Sequence, residues 1–99
     1  MGIFSRIFGG KRKSKVKELL EKGAIIIDVR NPGEFQRGHI KGSKNIPLQE
    51  IKSAMGKIKE LEKPIIVCCA SGVRSAQAKT ILLRAGLEVE NGGGWRSLK

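Results

Sequence analysis

The segment that decides the fold spans residues 65–75 and reads IIVCCASGVRS. It opens with the apolar run Ile65–Val67, which is typical of a buried strand in a parallel sheet. Two cysteines end the run, and a loop of small residues then leads into a helical pattern. Backbone N–H groups at a helix N-terminus favour negative charge, so they can stabilise a cysteine thiolate and an anion bound beside it. The segment therefore predicts a nucleophilic cysteine held in an anion-binding loop.

The two cysteines also have a simpler interpretation, in which they are inert apolar side chains at the end of a strand. We favour the reactive interpretation because Gly72 and Arg74 accompany them, and we expect Cys68 to be the more buried one. Neighbouring cysteines rarely reach disulfide geometry, so the pair indicates a reducing, cytoplasmic setting. The lone His39 is far from both in sequence, and we therefore predict no metal site and no cofactor.

Composition indicates one small domain of 99 residues with a net charge of +11 and a mean hydropathy of −0.22. No apolar run approaches the roughly 18 residues that a membrane span requires. The positive charge would attract anionic substrates, acidic proteins or nucleic acid. Aromatic residues are scarce and no recognition motif is present, so we expect no specific nucleic-acid binding.

Residues 1–13 are predicted to be a flexible basic arm and residues 14–99 the folded domain. Gly9-Gly10, followed by three basic residues, indicates a break. Ser14 is then the expected N-cap of a helix over Lys15–Lys22. Apolar side chains at helical spacing within the arm would suit contact with a membrane surface, and the alternative is a segment that packs on its own domain or stays disordered. We expect a monomer.

Short apolar runs alternate with helical patterns in the remainder of the chain. The predicted helices are a short one after Pro32 and longer ones over Leu48–Leu61 and Ser75–Ala85, with a loop over Gly92–Gly94. The predicted strands are Ala24–Val29, Lys44–Pro47, Ile65–Cys68 and Leu87–Glu90. This alternation predicts an α/β fold with a parallel sheet covered on both faces. The cysteines then lie at the carboxyl end of a central strand, where such sheets place their ligands.

Several short motifs accompany the cysteines in a fixed order. They are Asp28-Val29-Arg30, Glu34-Phe35, Gly38-His39-Ile40, Gly42-Ser43, Asn45-Ile46-Pro47-Leu48, the cysteine loop and Gly93-Gly94. In this order they resemble a single-domain rhodanese, a sulfurtransferase, over roughly residues 15–98. The resemblance implies a three-layer α/β/α fold with a five-stranded parallel sheet. It also implies a catalytic cysteine that carries sulfur as a persulfide.

The register of the loop decides which cysteine acts. In the family that the chain resembles, the nucleophile opens a six-residue loop that ends at an Arg before a Ser, and counting back from Arg74 gives Cys69. A competing register starts at Cys68 and gives the Cys, five residues, Arg, Ser pattern of tyrosine phosphatases and dual-specificity phosphatases. That register corresponds to a phosphatase or an arsenate reductase. A third alternative is a non-enzymatic sulfur carrier or regulatory module.

The resemblance implies that Cys69 takes sulfur from a small anionic donor such as thiosulfate and passes it to a thiol, cyanide or protein acceptor. The residues expected to bind the substrate are Ala70, Ser71, Gly72, Val73, Arg74 and Ser75. Thiosulfate-using members often have a basic residue after the nucleophile, and Ala70 at this position weakens the case for thiosulfate as the natural donor. Arg74 has two open roles, which are binding the anionic donor and pairing with a carboxylate.

Four further polar residues are candidates for supporting roles, namely Asp28, Arg30, Glu34 and His39. We expect them to be mainly structural. Arg30 is predicted to pair with Glu34 across the turn after the first strand, and His39 to hold the loop between Gly38 and Gly42 through a hydrogen bond. Asp28 is the best candidate among them for a direct role, because it ends its strand on the side of the cysteines.

Overall fold

The computed structural model describes residues 2–99, with side chains from Arg12 onward. The described residues form four short strands, which are β1 (Ile25–Asp28), β2 (Lys44–Asn45), β3 (Ile65–Cys69) and β4 (Val89–Gly94). All pairings are parallel and the strand order is β2-β1-β3-β4. The predicted α/β fold with a parallel sheet is therefore confirmed, and β3 with the cysteines is a central strand.

The expectation of five strands is wrong for the described residues, which form four. The segment before β1 is helical from Gly2 to Glu21, so no extended segment remains there to add an edge strand. The sheet contains only the four strands that the apolar runs of the sequence predict.

Helices connect and cover the strands. They are α1 (Gly2–Glu21), α2 (Pro32–Gln36), α3 (Met55–Glu60) and α4 (Val73–Arg84), with 3₁₀ turns at Leu48–Glu50 and Trp95–Leu98. The helix predicted over Leu48–Leu61 is thus interrupted by a turn, although Ile51 and Ile58 are buried as its periodicity predicts. No helix among the described residues is both long and apolar enough to cross a membrane.

Helix α1 is longer than predicted. It runs through Gly9-Gly10 and Ser14, so the predicted break and the predicted N-cap are both wrong. Buried Val16 and Leu19 fix its C-terminal half on the sheet. Once that half is helical, each further residue that joins the helix gains one hydrogen bond, so extension is easier than starting a new helix. The predicted membrane-contacting face falls on residues 1–11, whose side chains lie outside the described part of the chain.

Two apolar clusters give the molecule its three layers. The larger one joins one face of the sheet to α3 and α4, and its fully buried members include Ile27, Val67, Cys69 and Leu82. The smaller one joins Ile66, on the opposite face of β3, to Val16 and Leu19 of α1 and to Leu98. Side chains alternate between the two faces along a strand, so successive residues of β3 contribute to different layers.

Strand β4 includes the three glycines that were predicted to form a loop. Gly93 pairs with Cys68 and Gly94 pairs with Cys69. A Cβ at Gly94 would lie 2.8 Å from the carbonyl oxygen of Ala70, so only glycine lets β4 continue this close to the cysteine loop. The glycines therefore lie in a strand and not in the predicted loop, because they allow β4 to pack closely against β3 and the cysteine loop.

Leu19 tests whether the smaller cluster holds α1 on the sheet. We expect Leu19→Ala to lower the free energy of unfolding by about 3 kcal/mol, because it removes a fully buried side chain and leaves a cavity. Leu20→Ala is the matched control, because that neighbour is 41% exposed and should change stability by less than about 1 kcal/mol. Urea unfolding measures both values. Equal losses in the two variants would mean that the cluster does not anchor the helix.

Candidate functional site

The carboxyl end of β3 leads directly into a tight loop and then into α4. Strand β3 ends at Cys69 and α4 begins at Val73, so the loop between them has three residues. Gly72 has a φ of +102°, and a Cβ there would lie 3.3 Å from Cα of Gly93. Both its backbone angle and its neighbour therefore favour glycine. The loop side chains of Ala70 and Ser71 are exposed, as is Val73.

The two cysteines have opposite ionisation behaviour although both are fully buried. Burial raises the pKa of Cys68 to about 12, and the nearby carboxylate of Asp28 adds to the effect. Burial also opposes ionisation of Cys69, but hydrogen bonds outweigh it and lower the pKa of this thiol below its ordinary value. Of the two sulfurs, Cys69 is the one that the structure prepares as a thiolate.

Backbone N–H groups supply most of the contacts that favour the Cys69 thiolate. The N–H of Gly72 donates to Sγ over 3.0 Å. The backbone N–H groups of Ser71 and Ser75 also lower the pKa of the thiol, and Oγ of Ser75 lies 3.4 Å from the sulfur. Together these groups form a cradle around Sγ that is suited to negative charge. The N–H groups of the loop thus surround the sulfur of Cys69, and anion binding by the loop stays a prediction.

Asn91 is a residue of this site that the sequence analysis missed. It is 5% exposed in β4, directly before the glycines. Its Oδ1 accepts hydrogen bonds from N–H of Gly93 at 2.8 Å and from Oγ of Ser75 at 2.7 Å, while Nδ2 donates to the carbonyl of Gly72 at 3.1 Å. No pattern in the sequence marked it, because the predicted strand ends at Glu90 and a polar side chain beside a run of glycines is typical of a loop.

The orientation of the Asn91 amide has a consequence for the sulfur. Gly93 N–H can only donate and Gly72 C=O can only accept, so Oδ1 must face the former and Nδ2 the latter. The single proton of the Ser75 hydroxyl is then shared between two acceptors, Oδ1 of Asn91 and Sγ of Cys69. When Cys69 is a thiol, Ser75 donates to Asn91. When it is a thiolate, Asn91 competes with the sulfur for that proton.

A charged side chain at position 91 should make Cys69 harder to ionise. We expect Asn91→Asp to raise the pKa of Cys69, because a carboxylate holds the Ser75 proton more strongly and adds negative charge nearby. The pH dependence of alkylation by iodoacetamide measures this shift, in a Cys68→Ala background. Asn91→Ala removes the amide without adding charge and should shift the profile less. Unchanged profiles in both folded variants would show that Asn91 does not influence the sulfur.

A buried ion pair occupies the same end of the sheet. The guanidinium of Arg30 binds both carboxylate oxygens of Asp28, with a shortest distance of 2.7 Å, and the two residues are 4% and 0% exposed. Arg30 also donates to the carbonyls of Glu34 and Gly38 and stacks on Trp95, whose ring centroid lies 4.8 Å from Cζ. The predicted side-chain pairing of Arg30 with Glu34 is wrong, because Asp28 takes the guanidinium.

Glu34 instead pairs with Arg74. Two parallel hydrogen bonds of 2.7 and 3.0 Å join the guanidinium to the carboxylate and so connect α4 to α2. Glu34 also completes a capping box with Asn31 at the start of α2. Of the two open roles of Arg74, the structure shows the carboxylate pairing, and binding of the donor stays a prediction.

His39 lies at the surface, away from the cysteines. Its Nδ1 is 2.8 Å from the carbonyl of Phe35, and its ring stacks on the ring of Phe35 with centroids 3.7 Å apart. These contacts hold the start of the loop between Gly38 and Gly42. A structural role of this kind is what the sequence analysis predicts for His39. Within the described residues, no group of three His, Cys, Asp or Glu side chains is placed to hold a metal ion.

The Glu34–Arg74 pair gives the fold a defined acid sensitivity. The hydrogen bond from Arg74 lowers the pKa of Glu34 from 4.5 to about 2. The pair therefore stabilises the folded state fully above the ordinary pKa, and this stabilisation is lost as the pH falls toward about 2. We expect Glu34→Gln to unfold at a lower urea concentration than the wild type at neutral pH, and the difference to shrink in acid. Glu60→Gln, at an exposed carboxylate that forms no salt bridge among the described side chains, is the control, and a constant difference across pH would contradict the assignment.

Comparisons with known proteins agree with this geometry. The family model described as a rhodanese-like domain matches residues 13–97. The chain belongs to the rhodanese-like domain family. It is 39% identical over 74 residues to the thiosulfate sulfurtransferase PspE of Escherichia coli, an alignment that covers 73% of this chain and 71% of that protein.

Other relatives extend the comparison. The uncharacterised protein YqhL of Bacillus subtilis is 43% identical over 63 residues, which is 64% of this rhodanese-like chain and 49% of that protein. The chain thus spans about half the length of that relative. A solved structure described as a rhodanese with anions, from E. coli, superposes with a TM-score of 0.69 at 38% identity and covers 75% of this chain and 89% of the other.

Proposed function

We propose that this rhodanese-like chain is a sulfurtransferase that carries sulfane sulfur as a persulfide on Cys69. The observation that carries the proposal is the cradle, in which the N–H of Gly72 lies 3.0 Å from Sγ and hydrogen bonds lower the pKa of the thiol. Relatives named thiosulfate sulfurtransferase, at 39% identity, support the same chemistry.

The first step would load the enzyme. The Cys69 thiolate attacks the outer sulfur of a sulfane donor and a bond forms between Sγ and that sulfur. With thiosulfate as the donor, the sulfur–sulfur bond of thiosulfate breaks and its electron pair leaves with sulfite. The thiolate needs no general base, because the cradle already favours the ionised sulfur. The same N–H groups can hold the negative charge of the persulfide that results.

The second step would discharge the enzyme. A thiolate, cyanide or the thiol of an acceptor protein attacks the outer sulfur of the persulfide, and the sulfur–sulfur bond breaks. The electron pair returns to Sγ of Cys69, which regenerates the thiolate in the cradle. No oxidant or reductant is consumed over the cycle, because one sulfur atom passes from the donor to Cys69 and then to the acceptor.

The identity of the natural donor is a separate question, on which the loop gives some guidance. Ala70 supplies no charge beside Cys69, and the cation nearest in sequence, Arg74, is bound to Glu34. Charge at the cradle thus comes from backbone dipoles, and the guanidinium of Arg74 is occupied by Glu34. This favours donors that lack a sulfonate group, such as inorganic polysulfide, alongside thiosulfate.

The phosphatase register is less well supported. It requires Cys68 as the nucleophile, and this thiol is fully buried with its pKa raised to about 12. Both thiols are buried, so the difference lies in ionisation: the pKa is raised for Cys68 and lowered for Cys69, and a sulfur that stays protonated is a poor nucleophile. The geometry therefore favours sulfur transfer through Cys69.

Intact mass spectrometry tests the proposal. We expect the reduced protein to gain one sulfur atom on incubation with thiosulfate or inorganic polysulfide and to lose it to cyanide. Cys69→Ala should abolish the gain, because it removes the attacking sulfur, whereas the matched variant Cys68→Ala should retain it. A gain that survives in Cys69→Ala and disappears in Cys68→Ala would overturn the assignment of the nucleophile. A folded wild type that never gains sulfur would contradict the proposed function.

A further inference from the structure

A groove of about 590 Å³ separates α1 from the end of β4 and opens beside the cysteine loop. Its apolar part is formed by Val16 and Leu20 of α1 and by Leu98. Its other wall includes the glycine run of β4, and Ser71 of the loop lies at its end. This volume is in the range of about 300–1,000 Å³ that is typical of sites for small molecules.

The cations of the groove form no salt bridge with any described side chain, although the charge of Arg12 helps to lower the pKa of Glu90. Arg12, Lys13 and Lys17 line it, and none of them is within salt-bridge distance of an acidic side chain in the described residues, which include all nine acidic residues. The neighbouring face of the same helix differs, since Lys15 and Lys22 both pair with Glu18 and Glu88. Helix α1 thus pairs the cations of one face with carboxylates, whereas the three cations at the groove form no salt bridge within the described residues.

The groove is close to the proposed nucleophile. Gly94, one of its lining residues, is the strand partner of Cys69, and Ser71 follows Cys69 by two positions. Buried Val16 and Leu19 fix the helix that presents the cations. A molecule held against α1 by its anionic groups therefore lies beside Ser71, whose backbone N–H is one of the groups that lower the pKa of the Cys69 thiol.

We propose that this groove binds the sulfur acceptor and selects small thiols that carry carboxylate groups. The inference rests on the proposed function, because it concerns the discharge of the Cys69 persulfide. The three cations hold the carboxylates while the acceptor thiolate attacks the outer sulfur, and the electron pair of the broken sulfur–sulfur bond returns to Cys69. The donor is bound by the N–H groups of the cradle, and the acceptor by side chains of α1, so the two substrates use different parts of the molecule.

Discharge kinetics of the persulfide test the groove. The full-length protein is loaded with thiosulfate or inorganic polysulfide, and loss of the persulfide is followed with mercaptosuccinate, 2-mercaptoethanol or cyanide. We expect the triple variant Arg12→Gln, Lys13→Gln, Lys17→Gln to slow discharge by mercaptosuccinate about tenfold, because it removes the three cations that attract the two carboxylates of this thiol. Discharge by 2-mercaptoethanol and by cyanide should change less than about twofold, because neither carries a carboxylate.

A matched control separates the groove from the net charge. The triple variant Lys52→Gln, Lys57→Gln, Lys59→Gln removes the same charge from exposed positions around α3, on the opposite face of the sheet. It should leave discharge by mercaptosuccinate within about twofold of the wild type. Tricarballylate, which has three carboxylates and no thiol, should inhibit discharge by mercaptosuccinate in the wild type and not in the α1 variant.

The outcomes distinguish the inference from the function on which it rests. Equal slowing by the two triple variants, or equal slowing with charged and neutral thiols, would overturn the acceptor groove and leave sulfur transfer intact. Failure of the wild type to load sulfur, or to release it to cyanide, would instead contradict the proposed function itself.

Discussion

The buried pair of Asp28 and Arg30 organises the end of the sheet on which the cysteine loop stands. Removing two charges from water is costly, and the cost is met here because every donor of Arg30 that is described has an acceptor. Those acceptors belong to β1, to α2 and to the turn at Gly38, and Trp95 packs on the guanidinium from the C-terminal turn. One side chain therefore fixes the mutual positions of β1, α2 and the turn at Gly38, and joins them to the C-terminal turn that is distant in sequence.

The strand register then explains why adjacent cysteines differ so strongly. Consecutive residues of a strand face opposite sides of a sheet, so Cys69 contributes to the α3 and α4 layer while Cys68 does not. Cys68 lies opposite Asp28 in the register, and the carboxylate adds to the burial that keeps its thiol protonated. Cys69 is the last residue of β3, where the chain curls back and turns its N–H groups toward the sulfur. Adjacent positions of β3 therefore hold Cys68, whose pKa is raised, and Cys69, whose pKa is lowered.

Much of the fold could be predicted from the sequence, because hydrophobic periodicity reports burial directly. The four strands, the central place of Cys69 and the helix after it follow from the pattern of apolar residues.

The pattern of apolar residues does not predict features that depend on contacts between residues distant in sequence, such as strand pairing, helix docking and the partners of polar side chains. Glycine propensity predicts a loop at Gly94 and a break at Gly9-Gly10, but strand pairing and helix docking overrule it. Local spacing predicts that Arg30 pairs with Glu34, whereas in the folded chain the guanidinium binds the carboxylate of Asp28. Asn91 escaped notice because its partners come from three different elements.

The cradle around Cys69 is built mainly from main-chain groups, while the side chains of Ala70, Ser71 and Val73 point outward into solvent. Main-chain N–H groups do not change when a residue is replaced, provided that the backbone keeps its course. Variation at these three exposed positions is therefore free to alter the shape and charge of the entrance while the reactivity of the sulfur is conserved. In a loop of this kind the backbone holds the reactive sulfur and the exposed side chains contact the substrate. Related chains could therefore adopt new substrates through few substitutions.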